Sequence, residues 1–411
     1  MKQELLQQYA DAIVQVGINL QKGDKVLVRI DSRAIELGRL VVKRCWQMGA
    51  KDVKVRINDQ EMSRAYFDAS DDSVFDYFPQ FEVDYAEELY KAKYHRIAIG
   101  TPSLDLYADV DQDRMNRDSI TANTALKPLD KYMDSGEIKW VVAMAASEKW
   151  AKSLFPELPA EEGVEKLWEK ILEAARIQEG QDAVKNWQEH DAKLKAYEKW
   201  LDEQQFVSLH YEAPGTDLVV GLAEKHKWVG GSSRTPDGID YMANMPTEEI
   251  FTCPHNKKIN GRVQSTKPLN NSGKMIEDFW FEFKDGKVVD YDAAQGKEVL
   301  DMQLGMDEGA KSLGEVALVP NSSPISKMGF VFKNTLFDEN ASCHFALGAA
   351  YSETLIGGEQ MKEEERKALG YNDSMIHIDF MVGGPELRIT GTKADGSEVI
   401  VMDKGEWAME L

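Results

Sequence analysis

Short apolar runs of strand length punctuate the first part of the chain: "DKVLVRI", "KDVKVRI", "YHRIAIG" and "IKWVVAMA". Between the first two lies "RAIELGRLVVKRCWQMG", whose apolar positions follow a helical period and whose Gly49 suits a C-terminal cap. That strand, helix, strand order, with helical stretches before the later runs, predicts an α/β layer with a mostly parallel sheet over the first 150 residues. An amphipathic helix is expected ahead of it, with Leu6, Tyr9, Ala10, Ile13 and Val16 on one side.

Two further helices follow from the apolar repeats Val164, Leu167, Trp168, Ile171, Leu172 and Trp187, Leu194, Tyr197, Leu201. They read as a helical junction closing an N-terminal domain of residues 1–205. Beyond residue 205 the texture changes to paired short strands with turn signals, as in "FVSLHYEAPGTDLVVGL", "FWFEFKDGKVVDYDA" and "LRITGTKADGSEVIVM". Residues 206–411 are therefore expected to form an α+β, β-rich domain.

Composition narrows the function classes. A chain of 411 residues with 43% hydrophobic and 29% charged positions folds into a sizeable core, and its length favours two domains at about 150 residues each. The net charge of −22 repels phosphate backbones and anionic membrane surfaces and tolerates cations, so nucleic acid is excluded as a partner and metal ions are not. Three cysteines, Cys45, Cys253 and Cys343, without a CxxC pair, point to neither a disulfide framework nor a zinc ribbon and suit a reducing cytoplasm. A charged N-terminus and the lack of any run near the roughly 18 apolar residues of a span predict no signal peptide and no membrane segment. No GxGxxG follows the first strand, and HExxH, GxSxG and P-loop patterns do not occur.

The candidate chemistry lies in the second half. In "SMIHIDFMVGG", period two puts His377 and Asp379 on one face of a strand and Ile376, Ile378 and Phe380 on the other, a common way to present nitrogen and oxygen ligands to a cation. In "LFDENASCHFALGAAYSETL", His344 and Tyr351 share a face if the segment is helical; the alternative is a packed core helix whose histidine is satisfied by Asp338 or Glu339. Glu315 in "KSLGEVALVPNS" opens an apolar strand, where an unpaired carboxylate must be exposed, paired or metal-bound. "NMPTEEIFTCP" adds Glu248 and Glu249, which face opposite ways on an extended chain. With Glu249 the set holds the ligand mix of a two-metal hydrolase, provided its members converge. His190, Cys253 and His255 read as structural or loop residues.

Four motifs in this order, "NMPTEEIFTCP", "GEVALVP", "LFDENASCHFALGAAY" and "HIDFMVGG", resemble the M29 family of metallo-aminopeptidases, and the similarity runs over essentially the whole chain. The resemblance implies a C-terminal dinuclear metal site in a homodimer. Its metal ligands would be Glu249, Glu315, His344, His377 and Asp379, with Tyr351 at the metal site. Two divalent ions, whether zinc, cobalt, manganese or magnesium, would share a water that attacks the N-terminal peptide bond of an unblocked peptide. Tyr351 would stabilise the oxyanion and Glu248 would carry the proton. The alternatives are a two-metal amidohydrolase or phosphoesterase, and a non-catalytic metal-binding scaffold.

Overall fold

The computed structural model describes residues 3–102, 104, 106–271 and 274–411. The chain forms two compact units, Met1–Glu189 with Ser232–Pro246, and His190–Gly231 with Thr247–Leu411.

The first unit is an α/β layer. The strands Lys25–Asp31, Asp52–Asn58, Tyr94–Gly100 and Trp140–Met144 form a wholly parallel sheet, and the two-residue strand Asn244–Met245 joins it beside Trp140–Met144. The inner strand Lys25–Asp31, paired on both sides, is buried along most of its length, as the strands of a helix-covered parallel sheet are. The helix Ile35–Gln47 follows it and ends at Gly49, whose φ of +87° is the left-handed conformation that glycine reaches without a Cβ penalty. Asp31, Asn58, Gln60 and Thr101 line a crevice of about 880 Å³ at the carboxyl ends of these strands, where open α/β sheets commonly bind ligands. None of the clustered carboxylates and imidazoles described below lines it.

The second unit is β-rich. Its larger sheet runs Lys287–Asp292, Trp280–Lys284, Pro254–Gln264, Thr216–Leu222, Phe206–Ala213, Arg388–Lys393, Glu398–Asp403 and Glu406–Trp407. Its smaller sheet, antiparallel throughout, runs His377–Met381, His344–Gly348, Leu313–Leu318, Ile250–Thr252 and Val229–Gly230. The turns Pro214-Gly215 and Asp285-Gly286 close the hairpins of the larger sheet, as their turn chemistry predicts.

The inner face of the smaller sheet supplies Val316, Phe345 and Phe380 to a core shared with Tyr211, Phe279 and Phe281 of the surrounding elements. Phe345 meets Tyr211 edge-on at 4.8 Å between ring centroids, and Phe380 meets Phe281 at 5.2 Å. Burying this apolar face anchors the sheet and leaves the opposite face for polar side chains.

Two local expectations are corrected. The segment from His344 is a strand, His344–Gly348, and not a helix; every residue in it is buried, as suits an inner strand paired on both sides. Tyr351 follows in a loop. His255 does not lie in a loop either: it belongs to the strand Pro254–Gln264, while Cys253 is the buried one-residue link between that strand and Ile250–Thr252.

Candidate metal centre

Strand register builds the site. Glu315 pairs with Ala346 and Ala346 with Asp379, so these three positions lie in one row across the sheet. His344 is two residues from Ala346, and His377 two from Asp379, and side chains two apart on a strand share a face. Glu315, His344, His377 and Asp379 therefore rise from one surface, while Val316, Phe345 and Phe380 project into the core. Between the ligand-type residues this surface carries Ala317, Ala346 and Gly348, whose small side chains leave room above it.

The same parity places Glu249. Ile250 pairs with Leu318 and is fully buried, so its neighbours Glu249 and Phe251 turn to the other side. Phe251 lies edge-on to the Tyr351 ring at 6.1 Å, and Tyr351 lies 4.7 Å from the imidazole of His377.

Five side chains meet. His344 Nε2 lies 3.2 Å from Glu249 Oε2 and 3.4 Å from Glu315 Oε1, and His377 Nε2 lies 3.7 Å from Glu315 Oε2 and 3.1 Å from Asp379 Oδ1. Donor atoms of Glu249, Glu315 and His344 fall within 4.8 Å of one another, as do those of Glu315, His377 and Asp379. Glu315 belongs to both groups, one carboxylate oxygen toward each histidine.

The donor set fits divalent cations. Nδ1 of His344 lies 3.1 Å from the Ser342 carbonyl, and Nδ1 of His377 lies 2.7 Å from the Ala349 carbonyl. A carbonyl only accepts, so each Nδ1 carries the proton and donates it, and each neutral ring then presents the Nε2 lone pair to the cluster. Asp379 Oδ1 is buried and receives no well-formed hydrogen bond, although His377 Nε2 is close. A buried carboxylate oxygen in that state is costly unless a cation meets it.

The protonation pattern of the metal-free cluster points the same way. Burial and the nearby Asp379 and Glu249 hold Glu315 above the usual carboxylate range. Burial would neutralise His344, but Glu249 and Glu315 keep its pKa well above the ordinary imidazole value. Burial likewise opposes charge on His377, and Asp379 and Glu315 raise its pKa to about 9. Asp379 is lowered against its burial by His377 and His344. Protons hold together a set of carboxylates that would otherwise repel, a role divalent ions can take over.

These features are shared with known proteins. The profile described as thermophilic metalloprotease (M29) matches residues 2–407. The chain belongs to the M29 metalloprotease family. It is thus a metal-dependent hydrolase. Aminopeptidase AmpS of Bacillus subtilis is 40% identical over 403 residues, covering 98% of each chain. Aminopeptidase PepS of Streptococcus thermophilus is 40% identical over 407 residues, covering 99% of this chain and 98% of that one, and aminopeptidase T of Thermus aquaticus is 36% identical over 406 residues, 99% of each. The structure of wild-type AmpT from Thermus thermophilus superposes with a TM-score of 0.92 at 35% identity, covering 99% of both chains.

Among the remaining site residues of this M29 chain, Tyr351 is 45% exposed and sets its ring beside that of His377. Desolvation and the charges of Glu315, Asp379 and Glu339 raise its pKa, so it stays protonated. Glu248 is buried; its backbone N–H donates to Asn340 Oδ1 at 2.6 Å, and its carboxylate lies 3.8 Å from His190 Nε2. His190 meets the Thr247 carbonyl at 2.8 Å.

Sequence reasoning passed over Glu339 except as a partner for His344. Burial and the charges of Glu249 and Asp379 push its pKa well above the ordinary carboxylate value, so its carboxylate feels the charge of the cluster. The signal available was its place five residues before His344 in a segment with small residues. Asp338 does not serve His344: it accepts the backbone N–H groups of Phe332 and Asn334, and burial raises its pKa to about 6.

Proposed function

We propose that the chain is a dinuclear aminopeptidase that hydrolyses the N-terminal peptide bond of unblocked peptides. The observation that carries this reading is the pair of three-residue groups joined by Glu315, with both imidazole Nε2 atoms directed into them. One ion would be held by Glu249, Glu315 and His344, and the other by Glu315, His377 and Asp379. Bound there, two divalent ions would supply a nucleophile from water at neutral pH and would polarise the scissile carbonyl.

The protein's own residues then divide the work. Tyr351, kept protonated by desolvation and by the neighbouring carboxylates, donates a hydrogen bond to the oxygen that gains charge. A carboxylate outside the ligand set takes the proton of water and returns it to the leaving amine. Glu248, which is buried, and Glu339, which is partly so, are the nearby candidates. Glu339 senses the charges of the cluster while Glu248 is directed to His190, which favours Glu339 for the transfer. The carboxylate-rich cluster recognises a free α-amine, and acetylation removes both the charge and the lone pair of that amine.

The M29 relatives named aminopeptidases support the substrate class. All ligand-type residues belong to the second compact unit, which we take as the catalytic domain. Three buried free cysteines suit a reducing compartment, and we place the enzyme in the cytoplasm as a homodimer on the family resemblance. Among the described residues no helix is long and apolar enough to cross a membrane.

The test compares leucyl peptides with a free and with an acetylated N-terminus, before chelation, after it, and after metal is restored. Release of leucine from the free peptide alone, lost on chelation and recovered with metal, is expected. Equal cleavage of both peptides, or full activity after exhaustive chelation, contradicts the proposal.

A further inference from the structure

Two asparagines are almost wholly buried beside the cluster, Asn340 at 0% exposure and Asn372 at 2%. A buried amide persists only where its polar atoms are used. Asn340 Oδ1 accepts the N–H of Glu248 at 2.6 Å, and its Nδ2 donates to the Leu336 carbonyl at 2.9 Å and lies 3.4 Å from Glu339 Oε1. Its orientation is determined: a flipped amide would set N–H against N–H at Glu248 and oxygen against oxygen at Leu336 and Glu339. This one side chain joins the peptide next to Glu249 to the segment that carries Glu339, 92 positions apart in the pairing with Glu248.

Asn372 works on the other side of Glu315. Its side-chain Nδ2 donates to the carbonyls of Gly309 at 2.8 Å and Gly348 at 2.6 Å, and its main-chain carbonyl accepts the N–H of Ala350 at 2.9 Å. Between the two held positions lies Ala349. Its N–H donates to the Ile376 carbonyl at 2.7 Å, and its carbonyl accepts the Nδ1 proton of His377 at 2.7 Å. Asn372 therefore fixes the carbonyl that sets the ring orientation and tautomer of His377.

We infer that Asn340 and Asn372 are positioning residues that each serve one half of the centre, Asn340 the Glu249–Glu315–His344 half and Asn372 the Glu315–His377–Asp379 half. The inference rests on the two-ion reading above. It assigns the two halves separate supports, with Glu315 as the element common to both.

The test uses the full chain, freed of metal and titrated with cobalt(II), with chelator competition giving each dissociation constant. Asn340→Asp and Asn372→Asp keep size while replacing the donating group by oxygen, and Asn340→Ser and Asn372→Ser check the result without an added carboxylate. Each variant is expected to weaken one ion by about 10–100-fold and to leave the other within about threefold, the effect of losing one outer-shell partner. Anomalous scattering from crystals grown with limiting cobalt identifies the ion that remains: against His377 and Asp379 in the Asn340 variants, against Glu249 and His344 in the Asn372 variants. Equal weakening of both ions, as general loosening of the fold would give, overturns the inference, as does unchanged binding in folded variants. A wild-type chain that takes up no cobalt overturns the two-ion reading and the inference with it.

Discussion

Glu315 is the side chain on which both halves of the centre depend. It is buried, it faces His344 with one oxygen and His377 with the other, and Asp379 and Glu249 add their charges beside it. Glu315→Gln keeps the shape and removes the charge. The expected result is loss of both ions and a fall in kcat/KM of at least 100-fold, about 2.7 kcal/mol of transition-state stabilisation, measured on a free-amino leucyl peptide. His377 yields a second prediction. Its raised pKa, about 9, means that the metal-free chain carries a proton there at pH 7 that a metal ion must displace. Calorimetric titration of metal at pH 7 in buffers of different ionisation enthalpy is expected to show net proton release, and affinity is expected to rise from pH 6 to pH 9. For the metal-free chain the sign is opposite: the imidazolium contributes stability below the ordinary value of about 6.5 and loses it as pH rises through about 9. Buffer-independent heats would contradict this account of the cluster.

At the scale of the element, alternation along one strand separates stability from chemistry. Phe380 packs against Phe281 in the core, and Asp379, one residue earlier, faces the cluster. Phe380→Ala is expected to cost about 3–5 kcal/mol in chemical denaturation while the folded protein still binds metal. Asp379→Asn should cost the metal-free chain less than Phe380→Ala, because it gives up the attraction of His377 and His344 but also relieves repulsion with Glu315, and should abolish one ion. Similar losses of stability in the two variants would contradict the division. This alternation is why the HxD pair could be read from the sequence: two polar residues among apolar ones at strand spacing have one arrangement. The His344 segment is less informative, since "HFALG" is buried on both faces and, apart from the histidine, apolar throughout, so it has no period to distinguish it from a buried helix. Glu339 escaped because its role depends on how the segment before His344 folds back, which local pattern does not encode.

At the scale of the molecule, the parallel sheet and the β-rich second part follow from strand length, turn residues and the change of texture near residue 205. Tertiary pairing decides the remainder. Asn244–Met245 is too short to signal a strand, yet it extends the parallel sheet of the first unit. The order of the five strands in the smaller sheet joins residues from 229 to 381, and no local signal carries such separations. Ions that bind only the native second unit should stabilise it by about 2.7 kcal/mol per site at a hundredfold excess over Kd. Differential scanning calorimetry is thus expected to show a higher transition with metal than with chelator, and coincident transitions would argue against ligation by the cluster. The most direct test of the central claim is anomalous diffraction from crystals of the metal-loaded protein. The prediction is two peaks, one against Glu249, Glu315 and His344 and the other against Glu315, His377 and Asp379; a single peak, or peaks away from these side chains, would contradict it.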